Sequence, residues 1–485
     1  MRTILVCLLL SLSARLFAQE SAYVPPTDTA VQRKIAWWQD LKFGLLMHWG
    51  TYSQWGIVES WSICPEDEGW TQRKGPYAAD YFAYKQAYEN LQTTFNPTAF
   101  DPDKWASAAR AAGMRYVVFT TKHHDGFCMF DTHQTDYKIT STKTPFSTNP
   151  RANVALEVFK AFRQQQFGIG AYFSKPDWHD NDYWWSYFPP KDRNVNYDPA
   201  KYPDRWQHYK DFTYNQIQEL MTGYGRMDIL WLDGGWVCPD TPNKPPHYNQ
   251  DIDMARIASM ARGLQPGLIV VDRAVGGPYE NYRTPEQQVP TQPLTYPGET
   301  CMTMGDSWSY VPHDHYKPAS QLVHLLVRIV AWGGNFLLNI GPSPDGDWDP
   351  VAYERLREIG AWMSVNGNAI YGSRMVAPYG KDGIYYTRSK NADSTFVFYL
   401  SKDKEDTVLL PAELQLEGYS IANGSKVTIM GSGQRIQWKT VGDHSVLLIP
   451  KRLQGRPSGK YAIVFAIHTP WTNSISYSSS IKERP

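Results

Sequence analysis

The sequence has few cysteines, no net charge and no long apolar segment, and each lack excludes a class of protein. It contains 5 cysteines among 485 residues and no CxxC pair, so neither a disulfide scaffold nor a zinc site is indicated. The 48 basic and 48 acidic side chains balance, which argues against a nucleic acid or an anionic membrane as the main partner. No uninterrupted apolar run approaches the ~20 residues of a membrane-spanning helix. We therefore expect neither a nucleic-acid nor a membrane partner.

The first 18 residues are typical of a secretory signal peptide. Arg2 supplies the positive end, residues 4–12 form an apolar run, and Ala18 is a small residue before Gln19. We therefore predict a signal peptide over 1–18 and a secreted or periplasmic protein. The mature chain would keep four cysteines, whose pairing the sequence leaves open: Cys64, Cys128, Cys238 and Cys301.

Residues 34–371 alternate helical patterns with short apolar runs, which is typical of βαβ units. The pattern predicts helices over 101–112, 154–166, 205–221 and 252–264. It predicts strands over 43–48, 115–121, 169–174, 228–233, 268–272 and 335–340. We therefore expect an α/β fold in which a (β/α)₈-type, TIM-like barrel, regular or irregular, is the catalytic domain over 19–371.

Beyond Tyr371 the sequence changes to short alternating runs separated by Gly, Asn, Asp and Lys turns. These runs predict strands over 383–388, 395–400, 427–430, 436–439, 445–448 and 461–467. No helical pattern lies between them. We therefore predict a C-terminal β-sandwich over 372–468, followed by a polar tail over 469–485.

Polar residues lie at the carboxyl ends of several predicted barrel strands. The active sites of (β/α)₈ barrels are found at that end of the strands. These residues are His48, His123, His124, Ser174, Asp233, Asp272 and Arg273. In the fourth strand, alternation places Trp231 and Asp233 on one face and turns Leu230 and Leu232 toward the helices. A lone Asp after a strand is often only a cap, but this Asp has a Trp neighbour and converging partners. We therefore expect Asp233 to be functional.

The pair His123-His124 raises the question of a metal. Barrel metallohydrolases usually carry His-X-His on the first strand, where this chain has only His48. We therefore predict no metal and no cofactor. Neutral imidazoles can instead hydrogen-bond sugar hydroxyls, and one of the two histidines could equally be structural. The sequence shows neither a Gly-rich phosphate loop nor a GxSxG elbow.

Four segments together resemble the family 29 glycoside hydrolases, the retaining α-L-fucosidases: 43–50, 121–127, 230–234 and 335–342. The resemblance spans residues 34–372, with the segments in the expected order. It implies that Asp233 is the nucleophile. It also implies that the fucose pocket is lined by His48, His123, His124, Tyr172, Trp231 and Arg273. Glu59 and Trp61 resemble a sugar-binding Glu-Trp pair of the family, here interrupted by Ser60, and Trp308 resembles the aromatic wall near the fucose methyl group.

The position of the acid/base varies within that family. Residues 283–287 resemble the stretch that carries it in the broad-specificity branch, which favours Glu286. Glu280 is the second candidate, although its loop position is also typical of a solvated rim residue. Asp272 is the third, and Glu299 and Glu66 would require an unusual loop order.

The resemblance implies an exo-acting retaining α-L-fucosidase that hydrolyses fucosylated glycans or oligosaccharides through a covalent fucosyl-enzyme. Two alternatives stay open. One is a fucose-binding, catalytically inactive lectin-like protein, and the other is a retaining α-glycosidase for a related sugar such as galactose. The sequence does not indicate the linkage cleaved or the oligomeric state.

Overall fold

The computed structural model describes residues 22–65, 72–240, 248–402 and 405–469. Within these ranges the chain forms eight α-helices: α1 Thr29–Leu41, α2 Tyr81–Glu89, α3 Pro102–Ala111, α4 Val154–Gln164, α5 Pro203–Gly223, α6 Met254–Leu264, α7 Ala319–Ala331 and α8 Pro350–Asn366. The predicted signal peptide and nearly all of the predicted tail lie outside the described residues.

Six of the eight described helices begin at an Asp or Asn whose side chain caps the first turn. Asp101 accepts hydrogen bonds from the backbone N–H groups of Asp103 and Lys104, and Pro102 occupies the first turn of α3. Helix α6 begins two residues later than predicted because Asp253 takes a left-handed conformation and caps it through Arg256 N. The four predicted helices are thus confirmed, with shifts of about one turn or less at their ends.

Seven parallel strands form the first sheet: β1 Phe43–Met47, β2 Tyr116–Lys122, β3 Gly168–Ser174, β4 Ile229–Asp233, β5 Ile269–Asp272, β6 Glu299–Thr303 and β7 Asn335–Asn339. Their order in the sheet is β5-β4-β3-β2-β1-β7-β6, and every pair is parallel. The predicted barrel architecture is confirmed in an irregular form. Strand β6 was not predicted, and β5 and β6 do not pair with each other within the described sheet.

Residues 279–287, which we call the closing segment, occupy the gap between β5 and β6. The first part pairs antiparallel with β5, where Asn281 N donates to Val270 O over 3.0 Å. The last part pairs parallel with β6, where Gln287 N donates to Cys301 O over 2.9 Å. The segment therefore runs antiparallel along β5 and then parallel along β6. It ends near the carboxyl ends of the strands.

Side chains of β4 alternate between two layers, as predicted. Trp231 packs inside the curled sheet with Tyr172 and Val271. Leu230 and Leu232 belong to the larger core that the helices cover. Asp233, the next inward position after Trp231, therefore faces the open end of the barrel.

The C-terminal part is antiparallel. Its strands are β8 Ser373–Lys381, β9 Ile384–Ser389, β10 Ser394–Leu400, β11 Thr407–Leu409, β12 Glu413–Leu416, β13 Lys426–Ile429, β14 Arg435–Val441, β15 His444–Leu448, β16 Pro457–Lys460 and β17 Ala462–His468. Eight pair in the order β12-β15-β14-β13-β17-β10-β9-β8, and β11 pairs with β16. All six predicted strands are present. Four were missed: β8 is irregular, and β11, β12 and β16 are three or four residues long.

The antiparallel unit shares a core with the barrel helices. Phe398 and Val464 belong to the same buried cluster as the helical layer. Trp362 Nε1 on α8 donates to Ala462 O over 2.9 Å. The two units are therefore joined by apolar packing as well as by hydrogen bonds.

Cys64, Cys128, Cys238 and Cys301 are all buried, and none of them forms a disulfide, which answers the question of pairing that the sequence left open. None of the described helices has both the length and the apolar character needed to cross a bilayer.

Candidate active site

The carboxyl ends of four neighbouring strands, β1 to β4, bring several of the predicted polar residues together. His48 follows β1 and lies with its ring centroid 5.3 Å from that of Tyr172 on β3. The ring of His123, after β2, is 5.8 Å from the same tyrosine. His124 Nε2 is 3.9 Å from Asp233 Oδ2 at the end of β4. These groups form one pocket at the mouth of the barrel.

Asp233 is held from two sides. Tyr172 Oη donates to Asp233 Oδ2 over 2.7 Å, and Arg273 donates to Oδ1 over 3.1 Å. Burial alone would raise the pKa of Asp233. The Arg273 guanidinium, followed by His124 and the Tyr172 hydroxyl, outweighs burial and holds that pKa well below its usual range. Asp233 is therefore an ionised carboxylate in an enclosed position.

Arg273 also reaches a second carboxylate. The terminal nitrogen that does not contact Asp233 donates to Glu286 Oε2, and Nε donates to Thr284 Oγ1 over 3.1 Å. The two acids differ in access, since the Asp233 side chain is 15% exposed and that of Glu286 is 43% exposed. One guanidinium thus joins an enclosed carboxylate to one at the solvent boundary.

Trp231 forms the floor beneath this arrangement. Its ring stacks on Tyr172 at 5.2 Å between centroids and 23° between planes, and the Arg273 guanidinium lies 5.1 Å above it. Trp231 Nε1 donates to Glu299 Oε1 over 3.2 Å, and Tyr116 Oη donates to Glu299 Oε2 over 2.6 Å. Burial raises the pKa of Glu299 to about 7. Glu299 therefore supports the floor from below, inside the barrel.

The histidines are neutral hydrogen-bonding groups. His48 Nδ1 donates to Asn339 Oδ1 over 2.9 Å, and His123 Nδ1 lies 2.6 Å from Ser60 Oγ. Burial lowers the pKa of His48 and of His124 to about 4, and it lowers the pKa of His123 well below its usual value. Fixing Nδ1 of His48 and His123 leaves Nε2 of each ring for a ligand.

Glu59, Trp61 and Trp308 lie around the same pocket. Glu59 is buried, its Oε1 accepts from Ser309 N over 3.0 Å, and burial raises its pKa to about 8. The Trp61 ring lies 5.2 Å from His124, and the Trp308 ring lies 5.2 Å from His48. The structure thus brings every predicted site residue to one end of the barrel.

Three alternative acids are placed elsewhere. Asp272 was expected at the mouth, but alternation turns it outward, where it pairs with the buried Lys175 amine at 2.5 Å. Glu280 was predicted to be either the second acid/base candidate or a solvated rim residue. In the structure it is buried, and it accepts a hydrogen bond from Ala274 N over 2.9 Å. Glu299 lies beneath the floor. Glu66 lies outside the described residues. Among the described candidates, Glu286 is the one that Arg273 links to Asp233.

Two supporting residues of the site were not predicted, Ser60 and Asn339. Ser60 was treated as an interruption of the Glu-Trp pair, yet its hydroxyl contacts His123. Asn339 ends β7 and fixes both His48 Nδ1 and, through its amide nitrogen, the backbone of Trp308 at 2.6 Å. Its polar side chain at a strand end was the available signal.

The described residues contain no group of three or more His, Cys, Asp or Glu side chains placed to hold a metal ion. The groups that meet at the mouth are carboxylates, neutral imidazoles and aromatic rings, which are the kinds that hydrogen-bond and stack on a hydroxylated ligand.

Comparisons with known proteins agree on one family. A family model described as Alpha-L-fucosidase matches residues 10–368. The tissue alpha-L-fucosidase of Rattus norvegicus is 26% identical over 473 residues, which are 93% of this chain and 92% of that protein. The structure of alpha-L-fucosidase isoenzyme 1 from Paenibacillus thiaminolyticus has a TM-score of 0.72 and 30% identity, and covers 91% of this chain and 99% of its own. The Thermotoga maritima alpha-fucosidase in complex with a mechanism-based inhibitor has a TM-score of 0.69 and 25% identity, with coverages of 92% and 100%.

Proposed function

Because the chain belongs to the α-L-fucosidase family of glycoside hydrolases, we propose that it is an exo-acting, retaining enzyme that removes terminal α-L-fucose from glycoconjugates or oligosaccharides. The observation that carries this proposal is the contact of Asp233 and Glu286 with the two terminal nitrogens of Arg273. Retaining glycosidases place their two carboxyl groups about 5–5.5 Å apart, whereas inverting enzymes leave room for a water molecule at about 6.5–9.5 Å. Contacts with one guanidinium keep Asp233 and Glu286 near each other, which supports the paired roles of a retaining enzyme.

The first step uses the ionised state of Asp233. Its carboxylate attacks the anomeric carbon of fucose while the carboxylic acid of Glu286 protonates the departing glycosidic oxygen. The bond from carbon to the leaving oxygen breaks, and a covalent fucosyl-enzyme forms. Glu286 is then an anion, and its exposure places it where water can enter.

The second step reverses the role of Glu286. Its carboxylate takes a proton from a water molecule, and that water attacks the anomeric carbon and displaces Asp233. Each displacement inverts the anomeric centre, so the product keeps the α configuration. The proton that Glu286 gave up in the first step is restored in the second.

The neutral histidines and the aromatic rings supply the recognition of fucose. His48, His123 and His124 would hydrogen-bond the sugar hydroxyls, and Trp308 would face the C5 methyl group. Asp233 is enclosed at the end of the pocket, which supports attack on a terminal sugar rather than within a chain. Glu59 would hydrogen-bond a hydroxyl group, and Trp61 borders the same space.

The stereochemical course tests the proposal. Proton NMR of the first product should show α-L-fucose before mutarotation, and an initial β-anomer would contradict double displacement. Fucose binding without turnover of an aryl fucoside would instead support the lectin-like alternative. Stronger inhibition by galactose than by fucose would support the galactosidase alternative.

We also propose that the enzyme is exported and acts without a cofactor. The signal-like pattern of residues 1–18 supports export, and the mass of the mature N-terminus would test it. Activity should survive prolonged chelation, and a loss that zinc or calcium restores would contradict the absence of a metal requirement.

A further inference from the structure

A cavity of about 400 Å³ lies against the closing segment, and its size is within the range of small-ligand sites. Its lining includes Arg273 and Glu286, so it adjoins the active site. It also includes Glu280, Arg283 and Tyr296, none of which has a role in the fucose pocket described above. The cavity is therefore a neighbouring site that shares the proposed acid/base.

Arg283 and Tyr296 form a fixed wall of this cavity. The guanidinium carbon of Arg283 lies 4.6 Å from the centroid of the Tyr296 ring, and its Nε lies 3.8 Å from Glu280 Oε2. Glu280 is itself held by the backbone of Ala274. The Arg283 side chain is 13% exposed, so most of its motion is already restricted. Such a wall offers N–H donors beside apolar carbon, which suits the hydroxyl groups and C–H faces of a pyranose.

The charges of the lining favour a neutral ligand. Arg273 faces Asp233 and Glu286, and Arg283 faces Glu280. Each cation thus already has an anionic neighbour. An anionic ligand would have to compete with those carboxylates, whereas a polyhydroxylated neutral sugar would not.

We propose that this cavity binds the sugar from which fucose is removed, a neutral pyranose, and that Arg283 and Tyr296 decide which leaving groups are accepted. This inference rests on the proposed function. The glycosidic oxygen must lie within hydrogen-bonding distance of Glu286 to receive its proton, so the attached sugar extends toward Glu286. The cavity lies on that side.

The test compares α-L-fucosyl fluoride, whose leaving group is one atom, with a disaccharide of α-L-fucose linked to a neutral hexose. The variants are Tyr296→Ala and Arg283→Gln, and Gln288→Ala is the control because its side chain is exposed and does not line the cavity. In each of the first two, the ratio of kcat/KM for the disaccharide to kcat/KM for the fluoride should fall about tenfold. The control should keep the wild-type ratio.

A second measurement follows the fucosyl-enzyme. A free hexose in the cavity competes with water, its hydroxyl attacks the anomeric carbon, its proton passes to Glu286, and Asp233 is released. Both variants should form less of this transfer product at a given hexose concentration. Arg283→Lys, which keeps the charge but loses the planar fork, replaces Arg283→Gln if that variant does not fold.

An unchanged ratio in both variants would overturn the inference. A parallel loss on both substrates would also overturn it, because the residues would then only support the closing segment. If the wild-type enzyme turned over neither substrate, the proposed function itself would be wrong.

Discussion

Asp233 and Glu286 are bound to the two terminal nitrogens of the same guanidinium, that of Arg273. The shared cation keeps one carboxylate ionised in an enclosed pocket and holds the other at the solvent boundary. The two acids are therefore positioned together but face different surroundings. Variants at each should fail in different ways.

Asp233→Ala should lose activity on every fucoside by several orders of magnitude, because it removes the covalent step. Aryl and disaccharide substrates, assayed by kcat/KM, should be affected alike. Asp306→Ala is a suitable control, since its carboxylate is exposed on the rim. Strong residual activity with a good leaving group would show that another residue is the nucleophile.

Glu286→Ala should separate substrates by leaving group. Loss of general acid catalysis costs typically about 10²–10⁴-fold, and a sugar alkoxide needs the proton far more than a nitrophenolate does. The variant should accumulate fucosyl-enzyme, show a burst, and regain turnover with azide as α-fucosyl azide, because azide takes the place of water in the second displacement. If Glu280→Ala showed this pattern and Glu286→Ala cleaved oligosaccharides normally, the acid/base would be Glu280.

Arg273→Gln should move the acid limb of the pH profile of kcat/KM to higher pH. Arg273 is the strongest influence that lowers the pKa of Asp233, and burial opposes it. Without the cation, Asp233 takes up a proton at higher pH and loses its nucleophilic form. An acid limb at the wild-type position, measured on an aryl fucoside, would contradict this role.

Glu299→Gln should change how stability depends on pH. Burial raises the pKa of Glu299 from 4.5 to about 7, so the folded state holds a proton that the unfolded chain releases. The contribution of protonated Glu299 to the stability of the fold is fully present below about pH 4.5 and is lost as the pH rises through 7. The variant cannot ionise and should lose less stability than wild type between pH 5 and 8.

Thermal unfolding at pH 5 and pH 8 measures the effect of Glu299→Gln. At pH 5 the variant should be less stable by about 1 kcal/mol, because the amide offers one acceptor oxygen where the acid group serves both Trp231 and Tyr116. The difference should shrink or reverse at pH 8. Glu354→Gln, exposed on α8, is the matched control. A difference that stays constant with pH would contradict the prediction.

Truncation after Tyr371 should give insoluble protein. The cut removes Phe398 and Val464 from a core shared with the barrel helices and breaks the hydrogen bond of Trp362 to Ala462. The exposed apolar surface should cause aggregation. Sedimentation of the expressed fragment would check this. A soluble fragment with unchanged kcat and raised KM would indicate a substrate-binding role for the antiparallel unit.

The sequence was informative where strands are regular. Alternation in β4 predicted the directions of Trp231 and Asp233, since both neighbouring residues fit the same two-residue period. The same rule, applied to β5, would have turned Asp272 outward with Val270. The polarity of Asp272 at a strand end predicts the opposite, a carboxylate at the mouth, so the two signals conflict at this position.

The path to Glu286 could not be predicted from periodicity. Residues 276–300 are rich in proline and polar residues, and the closing segment makes only isolated pairs with its neighbours. Strand β6 begins with the buried Glu299, a charged residue that interrupts any apolar run. Glu286 was selected by resemblance, and its contact with Arg273 depends on long-range packing that no local pattern encodes.

The closing segment both completes the barrel wall and carries side chains of the proposed site, two roles that are separate in a fully paired barrel. The stretch of chain that covers the open edges of β5 and β6 also carries Glu286, Arg283 and Glu280. Its backbone pairs with the two edge strands, whereas its side chains line the cavity proposed for the leaving group. On the roles proposed above, exchange of Arg283 would change which leaving groups the enzyme accepts without altering a strand. Loosening the backbone, in contrast, would open the barrel and withdraw the acid in the same event.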